Sequence, residues 1–363
     1  MTDGNRRVLV VPASYFTPDR TIGGGERYAL EYARALARLT PVTLALFDTR
    51  TDQNQEGPLT VRTFSVRHFN QRRGFPLTRA TWKALRGYDI FHVMVFPTPL
   101  ADFLLLAARL WGKKVVLTDV GGGGACWSTY LQKLNPRWNL ARLTHGLAHL
   151  SNYAARFYAD WPQPQVSLYG GVDIDAKIPV MPPQGYALFV GRLLPHKGVL
   201  PLIEALPPDI PLRVVGRPYD PDYFQKLRQM ARGKKVEFFT HANDQELREH
   251  YQGASVVLQP SLPASDSFTD KSELLGLVTL EAMAHGKPVI VTGTASLQEL
   301  VVEGQTGFIV PPHDSSVLRQ RLETLVHNVE LSVRMGAAAR DRVQQHFTWE
   351  QAARRGKDLY ARL

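Results

Sequence analysis

The sequence predicts two doubly wound α/β domains, each built on a parallel sheet. Three observations lead there. At 363 residues the chain is too long for one ordinary core and suits two of about 150–200 residues each. Short β-branched runs alternate with amphipathic helical stretches over its whole length, which is the pattern of βα units. Between the halves, residues 172–184 hold Pro179, Pro182 and Pro183 without periodicity, a linker composition. The expected domains are 1–175 and 176–348.

Taken in order, the first half carries strand candidates at 8–12, 42–47, 59–66, 90–95, 114–118 and 147–150. The second carries them at 187–190, 212–215, 236–239, 255–258, 288–291 and 307–310. The apolar run 8–11 is too brief for a signal-peptide core and reads as a strand. The longest apolar region, 90–111, is broken by His92, Pro97, Pro99, Asp102 and Arg109. It therefore reads as a strand followed by a buried helix, not as a membrane span.

Cys126 is the only cysteine and cannot form an internal disulfide, so a reducing, cytoplasmic setting is expected. The net charge of +10 is uneven. Residues 1–175 hold 21 Lys+Arg against 13 Asp+Glu, a net of +8; the remainder holds 22 against 20, a net of +2. The first half is thus suited to an anionic partner: a membrane surface, a phosphorylated acceptor or nucleic acid.

Open α/β sheets bind ligands beyond the carboxyl ends of their strands, so chemistry is expected in the loops there. The densest such stretch is Ser272-Glu-Leu-Leu-Gly-Leu-Val-Thr-Leu-Glu281. Gly276, lacking a Cβ, lets an anion approach the backbone, and the N–H groups of Leu277, Val278 and Thr279 at a helix start suit a diphosphate. Glu281 falls about 6 Å along the axis, four residues at about 1.5 Å each, where a carboxylate can accept from ribose hydroxyls. Glu273 remains in the loop, toward the sugar end. An ordinary surface helix with two unrelated glutamates is the plain alternative. A second stretch, Gly191-Arg192-Leu-Leu-Pro-His-Lys197-Gly198, sets two cations after a strand, with Arg suited to two oxygens at once and Lys acting as a point charge. By itself it fits a pair of solvated loop cations better. Both stretches in one domain, in this order, are a poor fit to chance.

Together with Gly23-Gly24-Gly25-Glu26 and Pro260-Ser261, these motifs resemble the GT4 family of retaining glycosyltransferases, over essentially the whole chain and most specifically from 191 to 312. The resemblance implies a GT-B fold: two Rossmann-like domains facing a central cleft, with the final helix, 349–363, crossing back to the first. It implies that Arg192 and Lys197 neutralise the donor diphosphate, that Glu281 binds the ribose, and that Glu273 binds the transferred sugar. Gly23, Gly24 and Gly25, opening a helix over 26–39, are implied to lie against the diphosphate and sugar. The co-substrate is then a nucleoside-diphosphate sugar, UDP or GDP, with no cofactor and no metal; the acceptor is a sugar, a lipid-linked glycan or a small molecule.

Three departures stand out. Where the family often has a histidine after the fourth strand, this chain reads Thr118-Asp119-Val-Gly121, so Asp119 either takes over the sugar contact, accepts the acceptor's proton, or caps backbone amides. The stretch 262–272 is longer than usual, a specificity lid or a tolerated insertion. The run Thr292-Gly293-Thr-Ala-Ser-Leu-Gln-Glu299 replaces a Gly-Gly pair followed by Glu, which makes a role for Glu299 less secure. Arg217 and His241 stand after strands where they can border the nucleobase. Asp173-Ile-Asp175 imitates a metal signature but lies at the domain join and reads as linker.

Residues 62–86 hold Arg62, Arg67, Arg72, Arg73, Arg79, Lys83 and Arg86 with no acid, interleaved with Phe64, Phe69, Phe75 and Trp82. A solvated loop whose rings join the core is one reading; contact with an anionic membrane, placing the protein at its inner face, is another. Nucleic acid is the weakest fit. Rival functions are a GT-B sugar-nucleotide epimerase or a non-catalytic nucleotide-sugar- or nucleic-acid-binding protein.

Overall fold

A computed structural model describes residues 6–12, 24–66, 78–96, 98–120, 127–135, 138–172, 181–263 and 273–363. The chain forms two compact units, Met1–Gly170 joined by Trp349–Leu363, and Gly171–Thr348. In the first, β1 (Val8–Val11), β2 (Val42–Asp48), β3 (Asp52–Glu56), β4 (Leu59–Ser65), β5 (Ile90–Phe96), β6 (Lys114–Asp119), β7 (Gly146–His149) and β8 (Gln165–Ser167) form one sheet. Its order is β3-β4-β2-β1-β5-β6-β7-β8. All neighbours are parallel except β3 and β4, which pair antiparallel around a tight turn at Gly57. The connecting helices are α1 (Gly24–Ala37), α2 (Arg79–Leu85), α3 (Pro99–Leu110), α4 (Trp127–Leu134) and α5 (Asn152–Ala155). Thr78 caps α2, and Thr98 followed by Pro99 starts α3, so the chain enters each helix where its sequence dictates.

The second unit holds β9 (Ala187–Val190), β10 (Leu212–Val215), β11 (Val236–Phe239), β12 (Val256–Gln259), β13 (Val289–Thr292) and β14 (Gly307–Val310). All are parallel, in the order β11-β10-β9-β12-β13-β14. Its helices are α6 (Val199–Ala205), α7 (Pro221–Met230), α8 (Asp244–Gly253), α9 (Leu277–Ala284), α10 (Leu297–Leu300), α11 (Ser315–His327) and α12 (Val329–His346). Apart from the edge strand β11, these strands are mostly buried and near-continuous Val, Leu, Ile and Phe, as parallel strands covered on both faces require. The order reverses between β9 and β12, the switch point at which doubly wound sheets open a crevice.

All twelve expected strands are present to within two residues at either end. The apolar region 90–111 is β5 followed by α3, and no helix of the described residues is long and apolar enough to cross a membrane. Residues 173–180 of the expected linker, with Asp173 and Asp175, lie outside the described residues.

The last helix, α13 (Trp349–Ala361), belongs to the first unit and packs on α1. Gly356 permits this: a Cβ there would stand 1.8 Å from the Tyr32 hydroxyl. Beneath it, His92 Nδ1 lies 2.6 Å from the Tyr360 hydroxyl and Nε2 lies 2.7 Å from Thr118 Oγ1, with Tyr32 Oη 3.0 Å from Tyr360. Burial pushes the His92 pKa down to about 3, against about 6.5 in an unfolded chain. Between those values the unfolded chain binds the extra proton, so this contribution to stability is whole above about pH 6.5 and is lost as pH falls toward about 3. Burial lowers His145, His250 and His285 in the same direction. Melting temperature is therefore expected to drop between about pH 7.5 and about pH 5, and to drop less in His92→Gln. Equal pH slopes for the two proteins would show that His92 does not contribute.

Candidate active site

The site of the second unit is built on the loops that follow β9 and β12. After β9 the chain turns at Gly191 and Arg192 and makes a single helical turn, Pro195–Lys197. It then passes Gly198 in the left-handed region at φ 73°. A Cβ on Gly198 would stand 1.9 Å from the carbonyl oxygen of Pro260, the first residue of the loop after β12. The Leu262 N–H donates to the His196 carbonyl at 2.8 Å. Glycine is thus required at 198 both by conformation and by the fit of one loop to the other.

That fit brings Lys197 onto Glu273. The ammonium donates to Glu273 Oε2, and both side chains are mostly covered, 15% and 18% exposed. Burial pushes the Glu273 carboxyl up. Lys197 beside it, with the Gln259 side chain and His196, outweighs that and leaves it below the usual range. Gln259, at the end of β12, also accepts from the Thr279 hydroxyl. A polar chain of Lys197, Glu273, Gln259 and Thr279 therefore runs across the switch point into the first turn of α9. Ser296 fixes the backbone of Glu273, its N–H and hydroxyl both donating to that carbonyl at 3.2 and 2.7 Å.

Gly276 precedes α9 at φ 86° and ψ 51°, and as a glycine it supplies no capping side chain. The space its absent Cβ leaves is taken by Leu297 and Leu300 of α10, at 2.7 and 3.2 Å. Glycine here thus also serves the turn and the packing of α10. The N–H groups of Leu277, Val278 and Thr279 begin the helix, where the backbone dipole favours negative charge. One turn on, Glu281 Oε2 accepts from the Tyr251 hydroxyl at 2.9 Å. The Tyr251 ring stacks on His285 with centroids 5.0 Å apart.

The remaining expected residues are more loosely placed. Arg192 is exposed, its guanidinium 5.9 Å from the Tyr219 ring centroid. Arg217 and His241 are exposed beyond β10 and β11, the far side of the sheet from β12. Asn243 caps α8 in a capping box with Glu246. Glu299 sits in α10 and contributes its carbonyl to Arg342 at 2.9 Å. In the first unit, Gly24 and Gly25 are the first two residues of α1, and among the described residues nothing beyond the helix's own turn lies within 4 Å of where a Gly24 Cβ would be. Asp119 ends β6, buried, and accepts from the Tyr158 hydroxyl at 2.7 Å. Gly23, residues 264–272 and 121–124 lie outside the described residues. Sequence reasoning missed Gln259, Tyr251, Tyr158 and Ser296. Only Gln259 leaves a trace, a polar residue closing the apolar run Val256-Val-Leu.

Comparison with known proteins follows these two units. The family described as Glycosyltransferase Family 4 matches residues 22–176, and that described as Glycosyl transferases group 1 matches 173–342. The chain belongs to the GT4-type glycosyltransferases. D-inositol 3-phosphate glycosyltransferase of Corynebacterium aurimucosum is 35% identical over 186 residues, 48% of this chain and 42% of that one. The protein so named in Streptomyces avermitilis is 31% identical over 206 residues, 52% and 40% of the two chains. The chain thus spans less than half the length of the relatives it matches. Among solved structures, Anabaena HepE in complex with UDP and glucose is similar at a TM-score of 0.73 and 19% identity, covering 99% of this chain and 100% of that one. Sucrose-phosphate synthase from Thermosynechococcus elongatus is similar at 0.70 and 20%, covering 99% and 98%. These likenesses show the fold, two Rossmann-like domains of the GT-B class.

Proposed function

We propose that the protein transfers a sugar from a nucleoside-diphosphate donor, UDP- or GDP-linked, to an acceptor, without a metal and with retention of anomeric configuration. The observation that carries this is the contact of Lys197 with Glu273 at the β9/β12 switch point, beside the start of α9 behind Gly276. As the sugar departs, charge builds on the diphosphate oxygens. Arg192, Lys197 and the amides of Leu277, Val278 and Thr279 are the groups to meet it, each preorganised donor supplying about 3–4 kcal/mol. Glu281, oriented by Tyr251, takes the ribose hydroxyls, and Glu273 those of the sugar. Gly23, Gly24 and Gly25 are assigned to the donor as well, and Asp119 to the sugar or the acceptor hydroxyl. In this reading the second unit binds the donor and the first the acceptor.

The relatives named for D-inositol 3-phosphate and the +8 balance of residues 1–175 both favour an anionic, phosphorylated acceptor. Lipid-linked acceptors at the inner face of a membrane fit the same charge. Of the basic segment, Arg79 and Lys83 on α2 and Arg86 beyond it are exposed; residues 67–77 lie outside the described residues. The test is incubation of UDP- and GDP-sugars with D-inositol 3-phosphate and other phosphorylated acceptors, followed by proton NMR. The expected result is nucleoside diphosphate released together with an α-linked product from an α-linked donor. An isomerised donor or free sugar as the sole product, acceptor or not, would identify an epimerase or a hydrolase instead.

A further inference from the structure

Helix α4 is amphipathic, yet it presents its apolar side outward. Trp127, Tyr130 and Leu134, at spacings of three and four, form one stripe, and they are 64%, 65% and 63% exposed. What faces inward is Ser128: its N–H donates to Asp102 Oδ2 at 2.9 Å and its hydroxyl to the other carboxylate oxygen, both groups buried. The helix is thus anchored to α3 by a polar pair, and its apolar stripe is left over. Trp138 and Leu143, just beyond α4, add 57% and 42% exposed surface. Isolated exposed apolar side chains are ordinary, but two tryptophans, a tyrosine and two leucines in one short segment are not.

Charge identifies the occupant. Residues 102–160 hold seven Lys and Arg against three acids; Asp102 and Asp119 are buried, which leaves Asp160 as the one exposed acid. Arg79, Lys83 and Arg86, on and just beyond α2, are exposed as well. That helix meets the end of α3 where Trp82 packs edge-on to Trp111 at 4.5 Å and the Arg86 guanidinium lies 5.5 Å from the Trp111 ring centroid. Tryptophan and tyrosine settle at the headgroup level of a bilayer, where surrounding cations meet anionic lipid. A second copy of the chain would instead bring like charge against like.

We propose that the α4 stripe, with Trp138, is the element that inserts into the interface of an anionic bilayer. This insertion sharpens the membrane contact read from the basic segment and does not depend on the donor chemistry. Co-sedimentation with vesicles of phosphatidylcholine alone and of phosphatidylcholine with phosphatidylglycerol tests it. Three proteins are compared: the unaltered chain, Trp127→Ser/Tyr130→Ser/Leu134→Ser, and Arg79→Ala/Lys83→Ala/Arg86→Ala. The unaltered chain is expected to pellet only with anionic vesicles, and the stripe variant to bind about tenfold or more weakly. Its melting temperature and UDP affinity should be unchanged; Tyr130→Ser alone should shift binding the same way by less. The basic variant should lose part of its binding and become less salt-sensitive. No binding by the unaltered chain overturns the proposal. So does full binding by the stripe variant, which would leave any membrane contact to the basic segment. A concentration-dependent dimer abolished by the stripe variant would overturn it too, assigning the face to a second copy.

Discussion

Lys197→Ala is expected to lower sugar transfer by about 10²- to 10³-fold while the chain remains folded. The ammonium is the cation that the structure seats against Glu273 at the crevice between β9 and β12, and a diphosphate arriving there is its natural counterion. The substitution has a second consequence, separable from the first. It leaves the Glu273 carboxylate mostly buried without its main cation, and breaking such a pair costs about 3–5 kcal/mol before relaxation and water entry reduce it. A combined Lys197→Ala/Glu273→Gln variant removes the stranded charge. Thermal melts should show it more stable than Lys197→Ala, with transfer no better. If transfer returned along with stability, Lys197 would be a structural residue and not a phosphate ligand.

Gly198→Ala carries the next largest effect. Alanine in the left-handed region costs about 1–2 kcal/mol, and here its Cβ would also meet the Pro260 carbonyl oxygen at 1.9 Å, a backbone atom that no side-chain rotation can move. The loop must shift, and with it Lys197 and the bond from Leu262 to His196. Misplacing a reacting contact by about 1 Å can cost about 10²-fold, so transfer should fall on that scale with weaker donor binding. Gly233→Ala is the control. Gly233 has φ 76°, and among the described residues nothing but its chain neighbours lies within 4 Å of where its Cβ would stand, so the same backbone strain falls at a turn away from the loops after β9 and β12. It should lower the melting temperature and leave transfer intact. Equal loss of transfer in both variants would attribute the effect to general destabilisation.

The contrast between β3 and β9 shows what the sequence could and could not reveal. Strand β9 is Ala-Leu-Phe-Val, buried on both faces, and its bounds follow from the apolar run alone. Strand β3 is Asp-Gln-Asn-Gln-Glu, exposed along most of its length. It exists because the turn at Gly57 folds it back on β4, so its signal lies in its partner and not in its own residues. Strand β8, Gln-Val-Ser, is too short to declare itself. The site divides the same way. Arg192, Lys197, Glu273 and Glu281 could be put forward as candidates because residue type and motif order mark them. The partners that orient them, Gln259, Tyr251 and Ser296, come from other elements and meet them only through the fold. Gly276 was legible as a glycine before a helix, but the room it leaves for Leu297 and Leu300 required the position of α10.

The most direct test of donor recognition is titration calorimetry of UDP and GDP beside UMP, GMP and the free nucleosides, with the unaltered chain and with Lys197→Ala. Recognition of a diphosphate at the Lys197 loop and the start of α9 predicts that one diphosphate binds at least about tenfold tighter than its monophosphate, and that most of this margin disappears in Lys197→Ala. Diphosphate and nucleoside binding alike, or a margin that survives the substitution, would contradict it.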